Sequence, residues 1–399
     1  MRYIIITGVN FDNKGAEAMM FHLYHYLQYK WRRKKVIVFC KNSERQLEEY
    51  RKRYNLRIIS CYLADAFYAE GGIYRLAGKI KGIQSRSNSA KIRKILQNAD
   101  LCVDASGFNF SSKFSFMDNY AWLKNIEIMK NHNIPVVVMP QSFGPFAFPK
   151  WYGWILRFKA QQIMQYPSRI FAREQSGFYE LKTYCNVKNL LLSLDLVLLG
   201  ERLNPNNFYR NSSLMKKYKI ADGSVAVIPN QKLKVHSTDL NGEKIYISAI
   251  QALIKEGKKV YIVRHCESDR QFCKSLAKKF RYIENVRYID DDIDCLEFAE
   301  LIKHFEFAIA SRYHGIVHSY KAGIPCVVIG WADKYLDLAQ QMFQDYYVLD
   351  LSDYNEDKLK MKIHEMSLNY LSERTKIIQR YNQLKKTHKL YEIAFDDVD

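Results

Sequence analysis

The residues best suited to chemistry are an arginine and a histidine two positions apart in the segment SRYHGIVHSYKAGIP, residues 311–325. The apolar run before it, FEFAIA at 305–310, predicts a buried strand, and the spacing of 315–321 predicts a helix. This order places Arg312 and His314 at the carboxyl end of a strand and beside a helix N-terminus, where open α/β sheets bind anions. A guanidinium group pairs with carboxylate or phosphate, and an imidazole transfers protons near neutral pH.

A second group of polar residues lies in TGVNFDNKGAEAMM, residues 7–20, after the first apolar run. Its glycines do not follow the phosphate-binding GxGxxG spacing, so Asp12 and Glu17 suit hydroxyl activation or sugar binding better. Asn13 and Gly15 lie between them in the same turn. The alternative is that Glu17 only complements the dipole of the following helix.

Three other loops follow apparent strands and carry small, amide or cationic side chains: DASGFN (104–109) with Ser106, PQSFGP (140–145) with Gln141, and AREQSG (172–177) with Arg173. Taken alone, the first two are ordinary turns. Arg173 directly follows a strand, so it either forms a structural ion pair or binds an anion in a cleft.

Short apolar strands alternate with longer helical patterns, which is typical of parallel sheets covered by helices on both faces. A polar stretch at 200–213 separates two such series, so we place a linker near 200–222. The prediction is an α/β protein with two Rossmann-like domains facing a cleft, the GT-B arrangement, with parallel sheets. We expect an N-terminal, acceptor-side domain at 1–205, a C-terminal, donor-side domain at 206–352 and a helical tail at 353–399.

The charge balance points to an acidic partner. The chain of 399 residues has 61 Lys and Arg against 42 Asp and Glu, a formal net charge of +19. An anionic membrane and phosphorylated small molecules fit this charge, whereas nucleic acid is not expected because no recognised nucleic-acid module is present. Eight cysteines without a CxxC pair indicate reduced thiols and no zinc site, and no apolar run approaches the ~18 residues of a membrane span. We expect a cytoplasmic protein that can lie on the inner membrane face.

Two surface segments have open interpretations. Between Glu70 and Asp100 there are seven Lys or Arg residues and no acid. This segment is either a solvated surface or a basic face for anionic lipid or a pyrophosphate-linked acceptor. The aromatic segment PFAFPKWYGWILRF, residues 145–158, is either an ordinary packed helix or an element that contacts a membrane interface or the acceptor.

The chain resembles the polysaccharide pyruvyl transferase family over nearly its whole length. The resemblance is carried, in order, by TGVNFDNKGAEA, PQSFGP, FAREQSGFYEL, SLDLVLL, RHCESD and SRYHGIVHSYKAGIPCVVIGWADKYLDLAQQM. The most specific part is the S-R-x-H followed by AGxP and DxK in the last of these segments. Two positions depart from the family pattern: residues 104–107 (DASG) stand where a glycine run is usual, and Arg264 precedes His265 where a proline is usual.

The resemblance implies that phosphoenolpyruvate donates a pyruvyl group to two hydroxyls of a sugar, forming a cyclic ketal and releasing phosphate. His314 is then the expected acid, Arg312 the expected clamp on the donor, and Glu17 the expected base on the acceptor. The remaining donor-side residues are expected to be Arg173, His265, Asp269, Gly315 and Lys334, and the acceptor-side residues Asp12, Asn13, Gly15, Ser106 and Gln141. Neither a metal nor a cofactor is needed. The acceptor is expected to be a lipid-linked or nucleotide-linked precursor.

Two other functions stay open at this point. A GT-B glycosyltransferase in surface polysaccharide synthesis would bind a nucleotide-sugar donor in the same cleft, because a fold does not fix a function. A non-catalytic scaffold would instead hold lipid-linked glycans on the membrane through its basic surface.

Overall fold

The chain folds into two parallel β-sheets, as seen in a computed structural model that describes residues 2–61, 86–233 and 242–396. The strands of the first sheet are β1 (Tyr3–Val9), β2 (Lys35–Cys40), β3 (Ile58–Ser60), β4 (Ala99–Asp104), β5 (Phe108–Phe110), β6 (Val136–Phe143), β7 (Arg169–Ala172) and β8 (Leu190–Leu192). Their order across the sheet is β3-β2-β1-β4-β6-β7-β8, and β5 pairs with β6.

The second sheet is built in the same way. Its strands are β9 (Ser224–Ile228), β10 (Lys259–Val263), β11 (Val286–Ile289), β12 (Ala308–Ala310), β13 (Cys326–Gly330) and β14 (Val348–Asp350). Their order, β11-β10-β9-β12-β13-β14, is that of a doubly wound dinucleotide-binding fold. The central strands are apolar on both faces, as buried parallel strands must be, and β9 is fully buried.

Helices connect the strands and cover the sheets. In the first half they are α1 (Lys14–Lys30), α2 (Glu44–Arg53), α3 (Arg86–Leu96), α4 (Phe116–Asn131), α5 (Lys150–Ile163), α6 (Gln175–Cys185) and α7 (Leu196–Leu199). In the second half they are α8 (Gly242–Lys255), α9 (Arg270–Lys279), α10 (Cys295–Leu301), α11 (Tyr313–Lys321), α12 (Asp333–Gln341), α13 (Glu356–Thr387) and α14 (Leu390–Ala394).

The strand order reverses at one place in each sheet. In the first sheet, the chain leaves the neighbouring strands β1 and β4 toward opposite sides. In the second sheet, it leaves β9 and β12 in the same way. A crevice forms outside the carboxyl ends of such strands, and ligands of open α/β proteins bind there. The loops after β1, β4 and β12, which carry predicted site residues, therefore lie at these crevices.

A continuous hydrophobic core joins the two halves, because Phe21 of α1 belongs to the same buried cluster as Leu296 of α10 and Val317 of α11. The C-terminus strengthens this connection. Helix α13 packs on the second half, and the chain then returns to the first half as α14. There the Tyr391 ring lies 4.6 Å from the Tyr26 ring, so the tail fastens one half to the other.

The predicted fold class is confirmed: two parallel sheets with alternating helices. The linker between β8 and β9 contains only short 3-10 turns and the single-turn helix α7. The exact domain limits, at 205 and 352, stay predictions. No helix within the described ranges combines the length and the hydropathy needed to cross a bilayer. Arg75, Lys79 and Lys81 of the basic segment lie outside the described residues.

Candidate active site

The loop after β1 contacts the second half of the chain directly. Asn13 forms an antiparallel bridge with Cys266, and the backbone oxygen of Asp12 accepts a hydrogen bond of 3.3 Å from Glu267 N. The Lys14 Nζ atom donates to the His265 backbone oxygen at 3.2 Å. Residues from both halves therefore meet at the carboxyl edges of the two sheets.

The central feature of this edge is a contact between a histidine and a buried aspartate. His314 lies in the first turn of α11, and its Nε2 atom is 3.4 Å from Oδ2 of Asp195, at the start of α7. The same Oδ2 atom lies 3.3 Å from Nη1 of Arg173, and Oδ1 accepts from Val197 N at 2.8 Å. Burial favours a neutral Asp195, but His314 and Arg173 outweigh it and hold the pKa of Asp195 below its usual range. Asp195 therefore remains a carboxylate in contact with both His314 and Arg173.

Gly15 allows the two halves to approach each other at this histidine. A Cβ atom at position 15 would lie 2.1 Å from Nδ1 of His314. The first turn of α1 thus packs directly on the imidazole ring, whose side chain is 12% exposed. Gly15 was expected to contact the acceptor, and the structure instead places it against His314.

Arg173 is more heavily paired than a free anion clamp would be. Its Nε atom donates to Glu174 Oε1 at 2.8 Å, and Nη2 donates to Ser142 Oγ at 2.7 Å. The guanidinium carbon also lies 4.2 Å from the centre of the Tyr313 ring. These contacts support the ion-pair alternative, in which Arg173 neutralises buried acids beside the cavity.

Arg312 is held in place by Asp269. The Nε atom of Arg312 donates to Asp269 Oδ2 at 2.7 Å, and Nη2 donates to Oδ1 of the same fully buried carboxylate. Asp269 Oδ1 also accepts from Gln231 N at 3.0 Å. Asp269 therefore positions Arg312 and cannot itself bind a donor anion, which corrects that prediction. The Nη1 atom makes no hydrogen bond within the described part of the chain, so this edge of the guanidinium group is open to an anion.

Lys334 has no acidic partner among the described residues and is surrounded by aromatic rings. Its Nζ atom lies between 5.1 and 5.7 Å from the ring centres of Phe108, Tyr313, Trp331 and Tyr335. Burial, and then the nearby positive charge of Arg173, lower the pKa of Lys334 to about 7. A lysine in this state gains strongly from an anionic ligand.

Lys334 opens into a cavity of about 230 Å³ that both halves of the chain line. Arg173 and Asp195 contribute from the first half, and Tyr313 and Lys334 from the second. The side chain of Asp333, which precedes Lys334 in the chain, is exposed, and no ion pair joins the two among the described residues. The structure thus brings together Arg173 and Lys334 from the predicted set and places His314 against the cavity through Asp195.

Glu17 is not available to an acceptor, which corrects its expected role as a base. Its side chain is 2% exposed, Oε2 accepts from Cys295 N at 2.9 Å, and Oε1 lies 3.4 Å from the Tyr54 hydroxyl. The Tyr54 hydroxyl also donates to Asp294 Oδ2 at 2.7 Å. Burial, with a further contribution from Asp294, raises the pKa of Glu17 to about 8. Glu17 therefore belongs to a buried acidic cluster that links the two halves.

Three other predicted residues are buried and have packing roles. His265 is 1% exposed and stacks edge-on against Phe298 at 4.9 Å, so it does not reach a donor. Gly315 permits α11 to approach β9, because a Cβ atom there would lie 3.2 Å from Ile228. Gln141 is fully buried in β6, with no hydrogen bond on either amide atom among the described residues. The burial of His265 and Gln141 corrects two expected binding roles, and the expected donor contact of Gly315 stays a prediction.

The remaining acceptor-side residues stay at the edge of the crevice. Asp12 is exposed, and Asn13 caps α1 by accepting from Gly15 N at 2.9 Å. Ser106 is half-buried and donates from Oγ to Asp104 Oδ2 at 2.9 Å. Their predicted contact with an acceptor stays a prediction.

Sequence reasoning missed the role of Asp195, although its segment SLDLVLL contributed to the resemblance. The available signal was an isolated acid between apolar residues, which must be paired when it is buried. The aromatic rings around Lys334 come from distant parts of the chain, and no local pattern connects them. No group of three or more His, Cys, Asp or Glu side chains suited to a metal ion occurs in the described ranges, and the expectation of metal-free chemistry stays a prediction.

Solved structures with this fold include several enzymes of nucleotide-sugar metabolism. The chain is similar to Anabaena HepE in complex with UDP and glucose, with 12% identity, a TM-score of 0.58, and coverage of 99% of this chain and 98% of that one. It is also similar to an S. aureus TarM mutant in complex with fondaparinux, alpha-GlcNAc-glycerol and UDP, with 9% identity, a TM-score of 0.57 and 98% coverage of both chains. A UDP-GlcNAc 2-epimerase of Methanocaldococcus jannaschii has 14% identity and a TM-score of 0.55, over 92% of this chain and 93% of that one.

These identities establish the fold alone, which is that of GT-B glycosyltransferases and epimerases. No curated protein gives a significant match. The family comparison is decisive, because the model described as polysaccharide pyruvyl transferase matches residues 13–333, most of the chain. The protein is therefore a member of the polysaccharide pyruvyl transferase family.

Proposed function

We propose that the protein transfers the pyruvyl group of phosphoenolpyruvate to two hydroxyls of a sugar in a polysaccharide or its precursor. The product is a cyclic ketal, and phosphate is released. The observation that carries this proposal is Lys334, a partly buried cation with no acidic partner among the described residues, in a cavity that also contains Asp195, the partner of His314.

The donor is an anion of the right kind for this cavity. Phosphoenolpyruvate carries a carboxylate and a phosphate, which suit an ammonium group and the open Nη1 edge of Arg312. Lys113 and Lys232 add positive charge at longer range, since both contribute to the lowered pKa of Lys334 after burial and Arg173. The aromatic rings around Lys334 exclude water and so strengthen its attraction to the donor.

His314 is suited to the proton transfers. In the first step, protonated His314 gives its proton to the methylene carbon of phosphoenolpyruvate, and a cation develops at the adjacent carbon. One sugar hydroxyl attacks this carbon and loses its proton to the now neutral imidazole. Departure of phosphate regenerates the cation, and the second hydroxyl attacks it. The imidazole keeps the proton of the first hydroxyl, which replaces the one that it gave to the new methyl group. The proton of the second hydroxyl leaves with phosphate.

The buried Asp195 has a positioning role in this scheme. Its carboxylate lies 3.4 Å from Nε2 of His314 and fixes the orientation of the imidazole ring for proton transfer. His314 alternates between acid and base, and the scheme needs no second base at Glu17. Asp12 and Ser106 remain the candidates for orienting the acceptor, and neither a metal nor a cofactor is required.

A nucleotide-sugar transferase is the second candidate, because HepE and TarM were solved with UDP. A nucleotide would use the same cavity, with its diphosphate facing Lys334. The two candidates differ in which ligand saturates the protein, so binding distinguishes them.

Calorimetric titration of phosphoenolpyruvate, UDP and CMP into the purified protein tests the proposal. We expect saturable binding of phosphoenolpyruvate that Lys334→Met and Arg312→Ala each weaken about tenfold or more. Lys278→Met, a change at an exposed lysine of α9, is the matched control and should bind normally. Binding of UDP with no binding of phosphoenolpyruvate would contradict the proposal and favour the sugar transferase.

A further inference from the structure

We propose that helix α5 docks the protein on an anionic phospholipid bilayer, with Trp151, Trp154 and Phe158 inserted at the membrane interface. The three side chains are 77%, 66% and 61% exposed. Tryptophan is highly buried on average in folded proteins, so two adjacent exposed tryptophans on one helix call for a partner.

The helix is apolar on two opposite faces. Leu156, Ala160 and Ile163 form the buried face, which belongs to a hydrophobic cluster of the first half. At 100° per residue, Trp151, Trp154 and Phe158 lie within about 60° of one another on the other side. One buried face is enough to fix a surface helix, so the second apolar face is not explained by folding.

Each of the two neighbouring helices also carries an exposed apolar side chain. Helices α4 and α6 both pack beside α5. Met117 of α4 is 45% exposed and Tyr179 of α6 is 58% exposed. The aromatic side chains that dominate this surface have an apolar body, and those of tryptophan and tyrosine also carry a polar edge, a combination that favours the interface between lipid head groups and acyl chains.

The charges around the helix complement an anionic membrane. From Gly144 to Tyr166 the chain contains three cations, Lys150, Arg157 and Lys159, and no acid. Lys150 and Arg157 are exposed and flank the aromatic stripe on one side, whereas Lys159 forms an ion pair with Glu127. Cations beside inserted aromatic residues add electrostatic attraction to anionic head groups. This charge pattern favours a lipid surface over a second copy of a chain that carries a net charge of +19.

The position of α5 relates the membrane to the catalytic crevice. The helix follows β6, so its first turn, with Trp151, lies toward the carboxyl edge of the first sheet, the edge that carries Ser106 and Arg173. A bilayer on α5 would hold this edge close to the head groups. If the proposed function holds, the acceptor that fits this geometry is a sugar carried on a membrane lipid; this last step rests on the proposed function, whereas membrane docking does not.

Cosedimentation with vesicles of phosphatidylcholine, with and without phosphatidylglycerol, tests the docking. We expect binding to the anionic vesicles that weakens with added salt. The double variant Trp151→Ser/Trp154→Ser should bind at least about tenfold more weakly, because it removes two interfacial anchors. Tyr282→Ser, at an aromatic residue 84% exposed in the second half, is the control and should bind like the unmodified chain. Circular dichroism should show that both variants fold, since the changed side chains are exposed.

A second variant tests whether Trp151 and Trp154 insert into the bilayer or only lie near it. Brominated lipids should quench the tryptophan fluorescence of the unmodified protein. Trp151→Phe/Trp154→Phe should keep membrane binding and lose most of this quenching. The docking proposal fails if anionic vesicles do not bind the protein or if the serine variant binds them equally well. It also fails if sedimentation velocity shows that the unmodified protein is a dimer and that the serine variant is a monomer. Phosphoenolpyruvate binding should be unchanged in the serine variant, so failure here is distinguishable from failure of the proposed function.

Discussion

Donor binding should depend on pH through Lys334. The pKa of this side chain is lowered to about 7, first by burial and then by Arg173. Only its ammonium form attracts the donor anions, and an anion held beside it raises its pKa again. Binding therefore takes up a proton at any pH above 7, and the affinity should fall as the pH rises.

The size of the effect follows from the fraction of Lys334 that is protonated. With a pKa of about 7, this fraction falls from about one half at pH 7 to about one hundredth at pH 9. The association constant for phosphoenolpyruvate should therefore fall about fiftyfold over this interval. The second pKa of a phosphate ester is about 6, so the donor itself keeps a nearly constant charge over the same interval.

Calorimetry at pH 7, 8 and 9, in buffers with different ionisation enthalpies, measures both the affinity and the proton uptake. Two variants supply the controls. Lys334→Arg stays charged throughout, so its affinity should be nearly independent of pH. Lys334→Met should bind weakly at every pH. A fiftyfold fall that persists in Lys334→Arg would refute the reasoning and assign the titration to another group.

Three further changes test the rest of the site. Asp195→Asn keeps the hydrogen bond to Val197 N but removes the carboxylate beside His314, so turnover should fall about a hundredfold or more in steady-state kinetics. Gly15→Ala displaces the His314 ring and should lower kcat about a hundredfold while donor affinity changes little, as single-turnover and binding measurements would reveal. The folded-state pKa of Glu17, about 8, lies above its ordinary value of 4.5, so the stability that its protonated form contributes is complete below 4.5 and lost as the pH rises through 8. Glu17→Gln should therefore raise the free energy of unfolding at pH 9 by up to about 5 kcal/mol, from a pKa difference of about 3.5 at about 1.4 kcal/mol per pKa unit, and leave it nearly unchanged at pH 4, as measured by urea denaturation.

The fold could be predicted from the sequence because it depends on local patterns. Apolar runs such as SVAVI in β9 are short, β-branched and bounded by turn residues, and the helices between them have a different period. Right-handed crossovers then leave few ways to arrange parallel strands. The return of the tail to α1 could not be predicted, because nothing in the sequence of α14 specifies that Tyr391 packs on Tyr26.

The site was only partly predictable, because the type of a residue and its position in the sequence do not reveal which side chain it pairs with. Arg312 and His314 were placed correctly at the end of β12, which follows from their position between strand and helix. Glu17, in the first turn of α1, and His265, in the loop after β10, likewise follow strand ends, yet tertiary contacts bury both of them. Asp195 was passed over because its importance comes from a histidine 119 positions away, and a single sequence does not indicate such a contact.

The return of the C-terminal tail also limits how such proteins can be recombined. Because α14 packs on α1 after α13 has crossed the second half, the first half is completed by a segment that the C-terminal end of the chain supplies. A chimera that exchanges only the residues before the linker would leave Tyr391 and Phe395 against a foreign helix. The unit that can be exchanged with intact packing is therefore discontinuous: residues up to the linker together with the last helix.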